Sequence, residues 1–249
     1  MKTLCGVTFV YNGIVHDYNT KETILSLQDF CDHVVVLDAG STDGTKELVK
    51  SCANEKTTVV LLDNSEWNNQ HGKEKLSYFT NKAIEIAEGM GYDYIFYLQT
   101  DEIVHEDSYG AIWASIGLGH EGFLVQRLNL WKDCNSVLDV PQHRKPCSTQ
   151  VIRLAKSKYR AIDDAESLNA PIQTYLENVE IWHYGFVRKK EVMKSKIIHM
   201  QRDVFQIDYD PKLNNMEVFD STAWFTDEDL KPITKSHPKI MQEWVKTRL

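Results

Sequence analysis

The first 105 residues alternate between short apolar runs and segments in which apolar side chains recur every three or four positions. The apolar runs have the length and composition of buried strands, and they occupy residues 6–12, 33–38, 57–63 and 92–102. The periodic segments between them predict helices over residues 20–31, 43–53 and 73–91. Strands that alternate with helices predict a parallel, doubly wound α/β sheet with right-handed crossovers.

The second half of the chain has a less regular pattern. Residues 122–131 alternate between apolar and polar positions, as in a strand, and the stretches STQVIRLAKS and VEIWHYGFV are further strand candidates. A helix is predicted over 189–204, and a short closing helix over 238–247. Because no change of composition marks a linker, we expect one continuous domain over residues 1–249 with an elaborated C-terminal half.

Composition places the chain among soluble globular proteins. Its 249 residues are 42% hydrophobic and 26% charged, and the net charge is −8. There is no apolar run of about 18 residues, so no transmembrane helix is predicted, and the first apolar run is shorter than that of a signal peptide. Five scattered cysteines without a CxxC pair are typical of free thiols in a reducing compartment. We therefore expect a cytoplasmic protein.

The charge is unevenly distributed along the chain. Residues 141–202 hold 12 basic and 6 acidic side chains, whereas the remainder holds 16 basic and 30 acidic ones. Segregated positive charge favours an anionic ligand on one side of the fold. A solvated surface without a partner is the alternative interpretation.

Three of the predicted strands end in polar residues, namely Asn12, Asp38 and Asp101. The carboxyl ends of parallel strands meet at one edge of a sheet, and ligands bind there. Gly40 and Gly44 follow Asp38 and let a ligand approach the backbone closely. Asp38 can then accept hydrogen bonds from a base or a ribose, while Asp43 is expected to hold the turn or cap the next helix. A capped βα loop without a ligand is the alternative.

Two further stretches carry candidate chemistry. In FYLQTDEIVHED, the adjacent acids Asp101 and Glu102 predict a divalent cation held by oxygen ligands, or else a cap on the following helix. In EIWHYGFVRKK, His183 lies between aromatic residues, where a histidine is more often a packed core residue than a ligand. The basic run 188–190 either neutralises a diphosphate or is simply solvated.

Taken together, these stretches resemble nucleotide-sugar glycosyltransferases of the GT-A fold, in the bacterial and phage branch of the broad family 2 group. LDAGSTDGT resembles that family's Asp-x-Gly/Ser-Ser-x-Asp-Gly-Thr stretch, and YLQTDE resembles the strand end that carries its Asp-x-Asp metal motif. HYGFVR resembles a His-Tyr-Gly-Tyr-x-Arg element, and SKYRAIDDAESL lies where an aromatic-rich strand precedes His-Glu. The resemblance covers roughly residues 4–200.

The resemblance implies an α/β fold with a mostly parallel central sheet flanked by helices. Residues 1–105 would form the half that binds the nucleotide sugar, and residues 106–204 the acceptor side. Residues 205–249 would form a C-terminal extension, which matches no part of the family pattern.

It also implies roles for single residues. The expected donor-binding residues are Val10, Asn12, Asp38, Ser41, Gln99, Thr100, Asp101 and Arg188. Asp101 would hold Mn²⁺ or Mg²⁺ on the diphosphate, and His183 would complete that metal site. Glu166 is the first candidate for the general base, with Asp163 and Asp164 as rivals.

The activity implied is an inverting, metal-dependent transfer of a hexose from a UDP-sugar-like donor to an acceptor hydroxyl in glycan assembly. The sequence departs from the family at two positions, because Gln99 replaces the first acid of the metal motif and Ala165 replaces the histidine before Glu166. Both departures allow a second hypothesis, a nucleotide-sugar-binding module without catalysis. A nucleotidyltransferase is disfavoured because no Gly-rich phosphate loop follows the first strand.

The acceptor is left open between a glycan, a lipid-linked sugar and DNA. The basic segment motivates a DNA-modifying alternative of the phage type, which would act on a hydroxylated base in the host cytoplasm. Phosphate contacts would then come from Arg144, Lys145, Arg153, Lys156, Lys158, Arg160, Lys189 and Lys190. Peripheral attachment to a membrane stays compatible with a lipid-linked acceptor.

Overall fold

A computed structural model describes residues 2–141, 143, 148–206 and 225–248 of the chain. Its first half alternates strands and helices as predicted. The elements are β1 (Leu4–Val10), α1 (Thr20–Phe30), β2 (His33–Asp38), α2 (Thr45–Cys52), β3 (Thr57–Leu61), α3 (Asn64–Asn68), α4 (Glu74–Gly89) and β4 (Tyr94–Tyr97). The four strands are parallel and lie in the order β3-β2-β1-β4.

The second half extends this sheet with mixed pairing. Its elements are β5 (Glu102–Val104), α5 (Tyr109–Gly117), β6 (Gly122–Trp131), β7 (Ser136–Leu138), β8 (Gln150–Lys156), β9 (Ala161–Ile162), β10 (Ser167–Leu168), β11 (Ile172–Phe186), α6 (Lys190–His199), β12 (Leu230–Pro232) and α7 (Gln242–Lys246). Strand β8 lies antiparallel to β4, and β6, β7 and β12 follow it. Strand β11 runs parallel to β6 and antiparallel to β5.

Both faces of the inner parallel strands β1, β2 and β4 are buried, whereas β3 at the edge is only partly buried. In β2, Val34 and Val36 belong to an apolar cluster with α1 and α2, whereas Val35 and Leu37 pack on the opposite face with Phe79 of α4. This explains why the strand is apolar at successive positions instead of alternating. The α/β class, with a central sheet flanked by helices, is confirmed.

The predicted strand 92–102 is wrong in its second half. β4 ends at Tyr97, the chain turns, and β5 begins at Glu102 and pairs with β11 instead. A helical turn of the π type over Met200–Val204 continues α6, within the predicted helix 189–204. The sequence pattern missed α3, which is too short to show periodicity, and α5, whose polar positions are too few to define an exposed face.

Four of the five cysteines lie in the described part of the chain, where all are buried free thiols; Cys147 lies outside it. None of the described helices is both long enough and apolar enough to cross a lipid bilayer.

Candidate functional site

The predicted polar edge of the sheet borders a cleft made of two adjoining cavities. The outer cavity, of about 770 Å³, lies between Asn12, the end of α3 and helix α6. The inner cavity, of about 140 Å³, reaches Val10, Gln99, Thr100 and Asp101. The structure thus brings most of the predicted donor-binding residues to one cleft. Three of them, Asp38, Ser41 and Arg188, line neither cavity.

Asp38 shapes the turn that follows β2. It is fully buried, and its Oδ1 accepts the backbone N–H groups of Gly40 at 2.9 Å and Ser41 at 2.7 Å. Gly40 has a φ of +96°, and a Cβ there would lie 2.5 Å from the Cα of Asn64. Among the described residues, Oδ2 of Asp38 has no hydrogen-bond partner. Contact of Asp38 with a nucleotide therefore stays a prediction, beside an observed structural role.

The loops after β1 and β2 are tied to each other. The backbone N–H of Asn12 donates to Ser41 Oγ at 2.8 Å, and Asn12 Oδ1 accepts the N–H of Thr42 at 2.8 Å. Asp43 accepts the N–H of Val15 at 2.8 Å and the hydroxyl of Thr45 at 2.6 Å. Burial raises the pKa of Asp43, but these hydrogen bonds outweigh burial and lower it. Asp43 therefore holds the loop, as the sequence indicated.

Asp101 is the centre of a buried ion cluster at the floor of the inner cavity. Its Oδ2 lies 3.2 Å from Arg188 Nη2 and 3.1 Å from Lys196 Nζ, and its Oδ1 lies 3.6 Å from His183 Nε2. Burial raises the pKa of Asp101, but the charges of Lys196, His183 and Arg188 outweigh burial and hold it well below its usual range. Asp101 is therefore a carboxylate that cations surround.

Arg188 is a buried support of this cluster. Its Nε donates to the carbonyl of His16 at 3.0 Å, and its Nη1 donates to the carbonyl of Tyr184 at 3.2 Å. The side chain is fully buried, so the structure places it beneath Asp101 and out of contact with the cleft. Direct donor binding by Arg188 stays a prediction that would require its side chain to move.

His183 is fixed between two partners. Its Nδ1 lies 2.9 Å from Asn129 Oδ1, on the side of the ring opposite Asp101. Burial lowers the pKa of His183, against the pull of the Asp101 carboxylate. A Cβ at Gly185 would lie 2.2 Å from His183 Nε2 and 3.1 Å from Asp101 Oδ2. The close approach of the ring to Asp101 therefore needs glycine at this position.

The donor atoms around Asp101 are poorly suited to Mn²⁺ or Mg²⁺. These ions prefer several oxygen ligands, whereas the Asp101 carboxylate already faces an ammonium and a guanidinium group. The Nε2 group of Gln99 donates a hydrogen bond to the carbonyl oxygen of Ala165 at 3.4 Å. Within the described ranges, no group of three or more His, Cys, Asp or Glu side chains is arranged to hold a metal. The described residues do not fit a divalent cation, and the metal stays a prediction.

Glu102 points away from the cleft, which corrects its grouping with Asp101 as a metal ligand or helix cap. It is fully buried, and its Oε1 accepts Arg127 Nη1 at 3.1 Å and Arg153 Nη2 at 2.6 Å. Its Oε2 accepts the backbone N–H of Gln99 at 2.9 Å, which holds the turn after β4. The sequence did not reveal this cluster, because its charged members are at least 25 residues apart along the chain.

The three candidate bases lie in different electrostatic surroundings. Glu166 Oε1 accepts Arg127 Nη2 at 2.6 Å, and its Oε2 accepts the hydroxyl of Ser148 at 3.0 Å. Burial raises the pKa of Glu166, but these partners outweigh it and lower the pKa, whereas burial and the nearby Glu166 charge raise the pKa of Asp164. Asp163 is exposed and pairs with Lys73. Electrostatics therefore favour Asp164 over Glu166 as a proton acceptor.

Aromatic side chains that the sequence motifs do not include form one wall of the cleft. Tyr11 stacks on Trp67 with ring centroids 3.9 Å apart, and His16 stacks on His199 at 4.6 Å. Lys75 Nζ lies 4.0 Å from the centre of the Trp67 ring, and burial lowers the pKa of Lys75 to about 8. The one signal in the sequence was that Tyr11 directly follows β1 at the ligand-binding edge.

The basic segment 141–202 is partly neutralised by acids from earlier in the chain. Four of its proposed phosphate-binding residues pair with Glu85, Glu88, Glu102 or Glu121, and these are Arg153, Lys156, Lys158 and Arg160. Arg153 is fully buried, so its prediction as a phosphate contact is wrong. Arg144 and Lys145 lie outside the described residues. The local excess of basic residues in the sequence is thus no guide to the charge of the folded surface.

No protein-family model matches the chain, and no curated protein matches its sequence. Among solved structures, TarS of S. aureus aligns with 87% of this chain and 42% of its own length, at 16% identity and a TM-score of 0.48. A Desulfovibrio desulfuricans G20 protein, assigned as a nucleotide-diphospho-sugar transferase, aligns with 63% of this chain and 64% of its own, at 11% identity and a TM-score of 0.36. The chain spans less than two thirds of either protein.

Proposed function

We propose that the chain is a glycosyltransferase of the GT-A type that transfers a sugar from a nucleoside-diphosphate sugar. A UDP-sugar is the expected donor. The observation that carries the proposal is the inner cavity, which connects the stacked rings of Tyr11 and Trp67 with the cations around Asp101. Aromatic faces stack on nucleobases, and ammonium groups bind phosphates. The motif LDAGSTDGT at the same edge of the sheet supports the proposal.

The positions of the lining residues suggest an order for the parts of the donor. The base would lie against the aromatic wall near Asn12, and the diphosphate would lie near Lys196. Gln99 and Thr100, beside Asp101, would contact the ribose or the transferred sugar. In this arrangement the turn 163–166, which Gln99 contacts through the Ala165 carbonyl, lies on the acceptor side.

The proposed reaction is a single displacement with inversion. A carboxylate takes the proton of the acceptor hydroxyl while its oxygen attacks the anomeric carbon, and the bond from that carbon to the diphosphate oxygen breaks. The electron pair of that bond leaves with the diphosphate, whose growing charge needs cationic stabilisation. Asp164 is the favoured base, with Glu166 and Asp163 as alternatives. A hexose and a glycan acceptor complete the proposal.

The test is to incubate the protein with UDP-, GDP- and dTDP-sugars, with and without saccharide acceptors. Mass spectrometry would detect the glycosylated product, and a coupled assay would detect the released nucleoside diphosphate. Turnover of a UDP-sugar supports the proposal. If isothermal titration calorimetry detects no binding of any nucleotide or nucleotide sugar, the proposal fails.

A binding module without catalysis is the second candidate. Two departures from the family motif favour it, Gln99 for an acid and Ala165 for a histidine, and the hydrogen bonds of Glu166 to Arg127 and Ser148 make the first candidate base a weak one. The two candidates differ in one outcome. A protein that binds UDP but neither hydrolyses a UDP-sugar nor transfers its sugar to any acceptor would be the module. Catalytic release of UDP from a UDP-sugar would identify the enzyme.

A further inference from the structure

We propose that the ammonium group of Lys196, supported by Arg188, occupies the role of a divalent cation beside Asp101, so that the donor diphosphate binds without a metal. This inference rests on the proposed function, and it names the group that neutralises the leaving diphosphate.

The position of Lys196 is the first observation. Its Nζ lies 3.1 Å from Asp101 Oδ2 and 3.3 Å from the carbonyl oxygen of Gly185. Its side chain is 15% exposed and lines the inner cavity beside Gln99 and Thr100. The ammonium group therefore combines a fixed anchor in the protein with access to a ligand in the cavity.

The charge of the cluster is the second observation. Within the described residues, one carboxylate, Asp101, faces two cationic side chains, those of Arg188 and Lys196. Among the described residues that line the inner cavity, Asp101 is the one acidic side chain. Cationic side chains that already contact a buried carboxylate repel a divalent cation and attract a diphosphate.

The two neighbouring positions, Gln99 and Glu102, offer a metal no free carboxylate. Gln99 is an amide where the family motif has an acid, and its Nε2 donates to Ala165. Glu102 accepts hydrogen bonds from the buried guanidinium groups of Arg127 and Arg153 on the other side of the turn. The substitution of Gln99 for an acid and the pairing of Asp101 with Lys196 are consistent with each other, since both lower the negative charge of the site.

The cationic side chain of Lys196 projects from helix α6. The same helix contributes Lys194, Ser195, Ile198 and His199 to the walls of the cleft. As the sugar leaves, negative charge grows on the diphosphate oxygens, and an ammonium hydrogen bond to them strengthens. Lys196 would then touch the reacting diphosphate, while Arg188 acts as a positioning residue for Asp101.

The experiment measures UDP affinity by calorimetry in EDTA and again in excess MnCl₂. We expect the wild-type dissociation constant to agree within about twofold between the two buffers, and Lys196→Met to weaken binding in EDTA by at least about tenfold, the effect of losing a charge-assisted hydrogen bond. Lys196→Arg should retain most of the affinity. Lys50→Met is the matched control, because Lys50 is exposed on α2 and lines neither cavity.

The outcomes separate this inference from the proposed function. Wild-type binding of UDP that requires Mn²⁺ would overturn the inference and leave the glycosyltransferase proposal standing. Absence of UDP binding in both buffers would overturn the inference, and the glycosyltransferase proposal fails with it only if no other nucleotide or nucleotide sugar binds. If Lys196→Met fails to fold, as judged by circular dichroism, the comparison of the wild-type protein in the two buffers still decides. Equal affinities of Lys196→Met and the wild type in EDTA would also overturn the inference.

Discussion

The Nζ of Lys196 lies 3.1 Å from Oδ2 of Asp101, and this contact joins helix α6 to the turn that follows β4. The two residues are 95 positions apart in the chain. The contact holds the Asp101 carboxylate in an ion pair, and it positions the helix that lines both cavities. Under the proposed function, the stability of the fold and the affinity for the donor therefore depend on the same carboxylate.

Asp101→Asn should destabilise the protein by about 3 kcal/mol in urea unfolding, because it leaves two buried cations without their carboxylate. Asp227→Asn is the control, since that carboxylate is 83% exposed in its pair with Lys132 and should change stability little. The pKa of folded Asp101 lies below that of the unfolded chain, so its contribution is present above about pH 4. The difference in unfolding free energy between Asp101→Asn and the wild type should shrink as the pH falls below that value. A difference that stays constant with pH would contradict this role of Asp101.

The choice of base can be tested by three matched substitutions. Asp164→Asn should lower the turnover of a responsive donor and acceptor pair by at least about 100-fold, the usual contribution of a general base. Asp163→Asn should have the smallest effect, because Asp163 is exposed and paired with Lys73. Glu166→Gln should act mainly on stability, through the loss of its bond to Arg127.

The pH profile gives a second measure of the same choice. A base must be deprotonated, so turnover falls on acidification as the pH passes the pKa of the base. The pKa of Asp164 is raised and that of Glu166 is lowered. An acid limb above the ordinary carboxylate range supports Asp164, whereas an acid limb below it, together with an inactive Glu166→Gln protein, would assign the base to Glu166.

Glu102→Gln should cost about 3–5 kcal/mol of folding free energy, because it breaks a fully buried pair and leaves Arg127 and Arg153 without their shared carboxylate. The change in the midpoint of urea denaturation measures this cost. Glu177→Gln on the exposed part of β11 is the control. Similar midpoints for the two variants would show that Glu102 is not a structural anchor of the turn.

Gly185→Ala should displace the His183 ring from Asp101, because the added Cβ would lie 2.2 Å from His183 Nε2. Overpacking of this kind costs about 1–3 kcal/mol, and UDP affinity should fall with it. Gly110→Ala is the matched control, since apart from its own helix no described atom lies within 4 Å of its added Cβ. A Gly185→Ala protein with wild-type stability and affinity would contradict the tight packing of this cluster.

Much of the fold was predictable because its signals are local. The apolar runs that became β1 and β2 are buried on both faces, the run that became β3 is partly buried, and the periodic segments that became α1 and α4 bury one face each. Polar residues at the ends of parallel strands meet at one edge by topology alone, so the sequence was enough to assign Asn12 and Asp101 to a shared cleft. The exact end of β4 could not be assigned, because it depends on the pairing of β5 with β11.

The sequence by itself determined the α/β alternation, the loop motif LDAGSTDGT and the edge of the sheet at which a ligand would bind. Only the tertiary structure decided which charges meet. It paired Lys196 with Asp101, committed Glu102 to buried arginines, and neutralised basic residues of the segment 141–202 with earlier acids. The physical reason is that apolar periodicity acts over a few residues, whereas an ion pair depends on distance in space and on burial, which the linear order of residues does not contain.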